Sequence, residues 1–95
     1  MPWQLEFDPG VLKDLKRLAR QDQRFIMDSL DKIAFGWSAS YARALSETGK
    51  LKRLSGEWKG FSRLRLRTYR VILKEQSHRL VIIVVRVGHR REVYR

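Results

Sequence analysis

The sequence predicts an α+β domain: a small antiparallel β-sheet with an N-terminal helical hairpin packed on one face, in the order β-α-α-β-β-β. Three observations lead there. Apolar residues recur at helical spacing between Leu12 and Ala34, and at a spacing of two from Leu51 onward. A single alternating stretch, Trp3-Gln4-Leu5-Glu6-Phe7, precedes the helical half as a strand. The last three strand-like runs are joined by connections of hairpin length, which makes them antiparallel neighbours. At 95 residues the chain suits one domain, residues 1–95, with one core.

Each element has its own signal. In the first strand Trp3, Leu5 and Phe7 alternate with Gln4 and Glu6, the pattern of a half-buried strand. Asp8 and Pro9 follow as a helix N-cap and first helical residue. Leu12, Leu15, Leu18 and Ala19 then form one stripe, with Lys13, Asp14, Lys16 and Arg17 facing out. Asp22 is the candidate cap of a second helix, whose stripe is Phe25, Ile26, Leu30, Ile33 and Ala34 and whose stop is Gly36. Residues 37–50 carry weaker periodicity and read as a helical turn and a loop. Leu51-Lys52-Arg53-Leu54 leads into the turn signal Ser55-Gly56. Strands follow at residues 61–67, 69–75 and 80–87.

Charge separates the two halves. Residues 1–50 hold 8 Lys and Arg against 7 Asp and Glu, a net of +1. Residues 51–95 hold 13 against 3, a net of +10, and ten of the 13 are arginines. A solubilising surface would mix signs. One strongly basic half points to a polyanionic partner, and arginine is the residue whose planar fork grips phosphate in fixed geometry. The chain has no cysteine, so disulfides and thiolate metal sites are excluded. At 33% charged, its apolar runs stay far below the ~20 residues of a membrane span. The N-terminus lacks a basic segment followed by an apolar one, so no secretion signal is expected and the cytoplasm is the default compartment.

The basic residues fall on one face of the sheet. With Arg67-Thr68 as a two-residue turn, Leu66 pairs with Tyr69, Arg65 with Arg70, Leu64 with Val71 and Arg63 with Ile72. Leu64, Leu66, Tyr69 and Val71 then share the helix-covered face, and Arg63, Arg65 and Arg70 share the other. Arg-Thr is an unusual turn, since such turns favour Asn, Asp or Gly; another turn length changes the pairing but leaves Arg63 and Arg65 together. Like charges directly opposite are destabilising, so a sheet that tolerates them is expected to bind an anion there. Lys52, Lys59, Arg86 and Arg91 are further candidates for binding it. The face taken by Arg86 depends on the turn around Gln76-Ser77. Beyond the last strand come Gly88, His89, Arg90 and Tyr94. Delivered to the mouth of the arginine face, His89 supplies a group that titrates near neutrality and Tyr94 a ring that stacks on a base.

Three stretches in order resemble the RelE/ParE toxin superfamily, and its RelE-type ribosome-dependent mRNA endonucleases in particular. These are F-D-P-G-V-L-K-D-L-K-R-L at residues 7–18, L-K-R-L-S-G-E-W-K-G-F-S-R-L-R-L-R-T-Y-R-V-I at 51–72 and V-G-H-R-R-E-V-Y-R at 87–95. The resemblance implies a fold similar to microbial ribonucleases. It also implies the toxin of a type II toxin–antitoxin system, which cleaves mRNA in the ribosomal A site without metal or cofactor. The mRNA 2′-hydroxyl attacks the adjacent phosphate, leaving a 2′,3′-cyclic phosphate and a 5′-hydroxyl. By position, Arg63, Arg65 and Arg70 match phosphate-contacting residues, Arg90 the proton donor to the leaving oxygen, and Tyr94 the base-stacking tyrosine. Implied partners are an acidic antitoxin, the ribosome with its rRNA and mRNA, and operator DNA reached through the antitoxin. The family's lysines are replaced by Arg63 and Arg65, and arginine is a poor base. His89 is then the preferred base, with Lys59 in reserve; alternatively, phosphate stabilisation and alignment carry the rate. Two other readings share the fold: a ParE-like toxin that inhibits DNA gyrase, and a nucleic-acid-binding module without catalysis.

Overall fold

A computed structural model describes residues 3–89. Five strands and three helices form two layers: β1 (Gln4–Phe7), α1 (Gly10–Lys16), α2 (Arg20–Phe35), α3 (Ala39–Glu47), β2 (Leu51–Arg53), β3 (Ser62–Leu66), β4 (Tyr69–Gln76) and β5 (Val81–His89). The sheet order is β1-β5-β4-β3-β2. The last three strands are antiparallel as expected, with β2 added antiparallel on the far edge. β1 differs, lying parallel to β5, so the sheet is mixed. No helix among the described residues is long and apolar enough to cross a membrane.

Helix boundaries depart from the sequence signals for identifiable reasons. Asp8 does not cap α1. Its N–H donates to Val84 O at 2.8 Å and extends the β1–β5 ladder by one bond, so Pro9 becomes the cap residue and Gly10 the first of the helix. Nor does Asp22 cap α2, which starts two residues earlier behind Ala19. Within residues 37–50, Ala39–Glu47 form a full helix, α3, where a turn and a loop were expected. Ser38 caps it by accepting the Tyr41 N–H at 3.0 Å. Tyr41, Ala42 and Leu45 make its inner stripe against the core, with Trp37 buried just ahead of it.

The core lies between helices and sheet. Val11 and Leu15 of α1, and Ile26, Leu30 and Ile33 of α2, meet Leu64, Leu66, Val71, Leu73, Ile82, Val84 and Val87. The β3–β4 register is the expected one, Leu64 with Val71 and Arg65 with Arg70. Arg67 supplies the positive φ, +55°, that its tight turn requires. Its guanidinium lies 3.7 Å from the centre of the Phe25 ring, a cation–π contact that offsets part of that strain and ties the hairpin tip to α2.

β5 carries an extra residue. Leu73 pairs with Val84 but Ile72 pairs with Arg86, so Val85 is a β-bulge. Before it Ile82 and Val84 point to the core; beyond it the parity reverses and Val87 does. Without the bulge Val85 would pair with Ile72 and Arg86 with Val71 on the core side; deleting Val85 instead leaves a continuous ladder in which Arg86 still pairs with Ile72 and Val87 with Val71. The deletion is therefore expected to retain cooperative thermal unfolding followed by circular dichroism, as is Val85→Ala.

Candidate phosphate-binding face

Strand alternation gathers the basic residues into two neighbouring rows on the side of the sheet away from the helices. Lys52, Arg63, Ile72 and Arg86 face one another across β2, β3, β4 and β5. Arg65, Arg70 and Gly88 form the next row toward the β3–β4 turn. Five cations occupy these seven positions and no carboxylate does. As direct cross-strand partners, Arg65 and Arg70 have Cβ atoms about 5 Å apart. Among the described residues, the ion pairs Arg53 with Glu75 and Arg79 with Glu6 neutralise arginines outside these rows.

The guanidinium of Arg63 is held rather than loose. One of its terminal nitrogens donates to the Gly49 carbonyl at 2.9 Å, in the turn between α3 and β2. Its Nε is buried and has no acceptor among the described residues. An unmade donor of this kind costs about 1–3 kcal/mol and is uncommon where stability alone shapes a site. Arg70 is half-buried and donates to the Tyr69 carbonyl at 3.2 Å. Arg65 is exposed. The result is a set of fork donors on one face, Arg63 held, Arg70 half-buried and Arg65 exposed, suited to a phosphodiester.

Two sequence candidates resolve in opposite ways. Arg86, whose face was open, joins the arginines because the bulge reverses the parity of β5. The same reversal turns His89 away. His89 pairs with Tyr69, on the helix side, and its ring stacks on the tyrosine at 4.4 Å between centroids and 36°. The expectation that His89 reaches the mouth of the arginine face is therefore corrected: it stands over a cleft lined by Asp8, Asp14, Arg17 and Tyr69. Lys59 is exposed in the loop that follows the 3-10 turn Gly56–Trp58. Arg90, Arg91 and Tyr94 lie outside the described residues. Trp58 and Phe61 went unassigned in the sequence; their signal was an aromatic pair inside a basic stretch, E-W-K-G-F.

The end of β5 is anchored from the helices. The Asp14 carboxylate accepts the Val87 N–H at 3.0 Å, taking over the strand edge that β1 leaves uncovered. Tyr69 donates its hydroxyl to Asp22 at 2.9 Å. That hydrogen bond, then burial and the carboxylate's charge, raise the Tyr69 pKa above the ordinary phenol value. A raised pKa means that the stabilisation is present below about pH 10 and lost as pH climbs through the raised value.

A family model described as the ParE toxin of type II toxin–antitoxin system, parDE, matches residues 5–94. No curated protein matches. Among solved structures, the chain resembles one in the toxin–antitoxin complex RelBE2 from Mycobacterium tuberculosis (24% identity, 95% of this chain and 93% of that one, TM-score 0.67). It resembles one in the archaeal RelE–RelB complex from Pyrococcus horikoshii (21%, 96% and 98%, 0.70). The isolated E. coli RelE toxin is similar too (22%, 97% and 90%, 0.63). At these identities the likeness is one of fold.

Two outcomes follow from this geometry. Tyr69→Phe is expected to lower unfolding free energy by about 1–2 kcal/mol at neutral pH, with the gap closing above pH ~10; denaturant titrations across pH measure it. Arg65→Thr is expected to leave stability unchanged or raise it by about 0.2–1 kcal/mol, because it removes a like-charge pair, while Leu64→Ala beside it costs about 2–5 kcal/mol.

Proposed function

The chain belongs to the ParE toxin family of type II toxin–antitoxin systems, and from that premise we propose that it is an endoribonuclease of the RelE type, cleaving mRNA in the ribosomal A site. One observation carries the reading: Arg65 directly opposite Arg70, flanked by Arg63, Lys52 and Arg86 on a face whose seven positions hold no carboxylate. A sheet pays for such an arrangement in repulsion, and a bound phosphodiester removes the repulsion.

The chemistry is transesterification. The 2′-oxygen attacks the neighbouring phosphorus, the bond from phosphorus to the 5′-oxygen breaks, and the products are a 2′,3′-cyclic phosphate and a 5′-hydroxyl. One proton leaves the 2′-oxygen and one joins the 5′-oxygen. Negative charge grows on the non-bridging oxygens, where Arg63, Arg65 and Arg70 stabilise it. With His89 on the opposite side of the sheet, the two rows hold only lysine and arginine as titratable groups. Charge stabilisation and in-line alignment then carry most of the rate, rather than a histidine base. Lys52, Lys59 and Arg86 extend the grip along the strand of RNA. By family resemblance Arg90 donates to the leaving oxygen and Tyr94 stacks on a base; Arg91, from its charge, is a further substrate contact.

The partners follow from the charge. The ribosome and its mRNA offer phosphate, and they place the action in the cytoplasm. An acidic antitoxin covers the arginine face until it is removed, and operator DNA is reached through that complex. A gyrase-inhibiting toxin is the alternative, favoured by one observation, the match to the ParE toxin family of parDE systems.

Mapping RNA 5′ ends after induction separates the two readings. New 5′-hydroxyl ends inside codons are expected; intact mRNA with DNA breaks would establish the gyrase alternative. Arg90→Ala and Tyr94→Ala are expected to relieve growth arrest, and His89→Gln to keep the wild-type pH profile of cleavage. Arg63→Ala and Arg65→Ala are each expected to shallow the salt dependence of RNA binding, by about 0.7 in the slope of log K against log salt for one lost phosphate contact.

A further inference from the structure

The arginine face carries two aromatic rings that transesterification does not use. Gly56 and Gly60, at φ +65° and +95°, reverse the chain on either side of Trp58. Backbone bonds from Leu54 N–H to Phe61 O and from Phe61 N–H to Trp58 O, both 3.0 Å, close the loop. Trp58 and Phe61 meet edge to face, 5.5 Å between centroids and 85° between planes. Two cations of the open face locate them there. The Lys74 ammonium lies 5.5 Å from the Phe61 ring centre, and the Arg86 guanidinium 5.7 Å from that of Trp58. Arg86 is in the same transverse row as Arg63. Between them in that row sits Ile72, fully buried yet outside the main core cluster.

A tryptophan at such a place has two uses. It can cover Ile72, which any apolar side chain of similar bulk would do. It can also present an aromatic surface beside the phosphate grip, which only a flat π system does. Trp58 is half-buried, whereas Trp37, a core tryptophan, is 5% exposed and donates its indole N–H to Glu75. Single-stranded nucleic acids are held by this pairing of cations for the backbone and rings for the bases. Arginine near the ring adds a cation–π contribution.

We infer that Trp58 is a stacking platform for an unpaired base of the RNA strand whose phosphates lie on Arg63 and Arg65, with Arg86 between platform and grip. The inference rests on reading this face as an RNA-phosphate site. Because every base has a π face, the platform selects for an unstacked base rather than for a particular one. It fixes where the strand runs across the sheet, toward the loop 54–61.

The test is binding of the full chain to two labelled strands of equal length at low salt. One is a 2′-O-methyl RNA heptamer, which lacks the attacking hydroxyl; the other has the same backbone without bases. The wild type is expected to prefer the strand with bases. Trp58→Ala and Trp58→Leu are expected to lose roughly 5- to 150-fold on that strand and nothing on the abasic one. Trp58→Phe is expected to retain most of the preference, and Arg63→Ala to lose affinity for both strands. Melting curves establish that each variant is folded. Rescue by leucine as complete as by phenylalanine overturns the platform, because covering Ile72 would then be enough. So does equal weakening of both strands in Trp58→Ala. A base preference that depends on Trp58 in a chain that cleaves no RNA leaves the platform standing and removes the ribonuclease reading. Cleavage without any base preference does the reverse.

Discussion

One inserted residue decides which side chains this sheet presents together. Val85 has no partner of its own on β4, and everything after it in β5 changes sides. Arg86 leaves the path to the core and joins Arg63 and Ile72; Val87 takes the inward position. His89 is sent to Tyr69 rather than to Arg70. The bulge falls where β1 ends, since the parallel ladder stops at Phe7 with Val84. Past that point β5 has a bare edge, and the helical layer supplies its acceptor through Asp14. Bulge, carboxylate and the Asp22–Tyr69 bond together fix the direction in which the strand leaves the sheet.

This arrangement accounts for the division between the two faces. The helix side of β3 and β4 holds Leu64, Leu66, Tyr69 and Val71, each 7% exposed or less. Their alternating neighbours Arg63, Arg65 and Arg70 occupy the open side. Burial on one face therefore holds in place a set of charges that repel one another on the other. A domain of this size has one such core, and all three helices contribute to it.

Much of this was legible in the sequence because it follows from periodicity. A switch in apolar spacing at Leu51 located the sheet, and strict alternation through Phe61-Ser62-Arg63-Leu64-Arg65-Leu66 put the arginines on one face. Three features were not legible, each for a physical reason. Asp8 and Asp22 have the chemistry of caps, but tertiary bonds to Val84 and Tyr69 engage them or their backbone instead. α3 is rich in Ser and Ala, and its inner stripe of Tyr41, Ala42 and Leu45, with Trp37 just ahead of it, gains meaning only against the sheet. The bulge is silent in a run of valines and isoleucines, where any residue fits either face. Strict alternation therefore gave no sign that His89 would face the helices, nor that Arg86 would face the arginines.

Three strained features fall in one short stretch. Arg65 opposes Arg70, Arg63 keeps a buried Nε without an acceptor, and Arg67 adopts a positive φ. All lie within residues 63–70, in the hairpin whose other face is buried against the helices. Lysines there would be more easily tolerated, since a flexible ammonium swings away from its neighbour. Arginines give up that escape. Arg63 shows the consequence, with one nitrogen tied to Gly49 and the fork held near a fixed orientation. On the ribonuclease reading proposed above, a fork held in this way would lose little freedom when a phosphate arrives, and its hydrogen bonds would serve the charge that develops during reaction rather than be consumed in ordering the side chain. The cost is borne by the folded state beforehand, and the leucines and valines directly behind the arginines are what offset it.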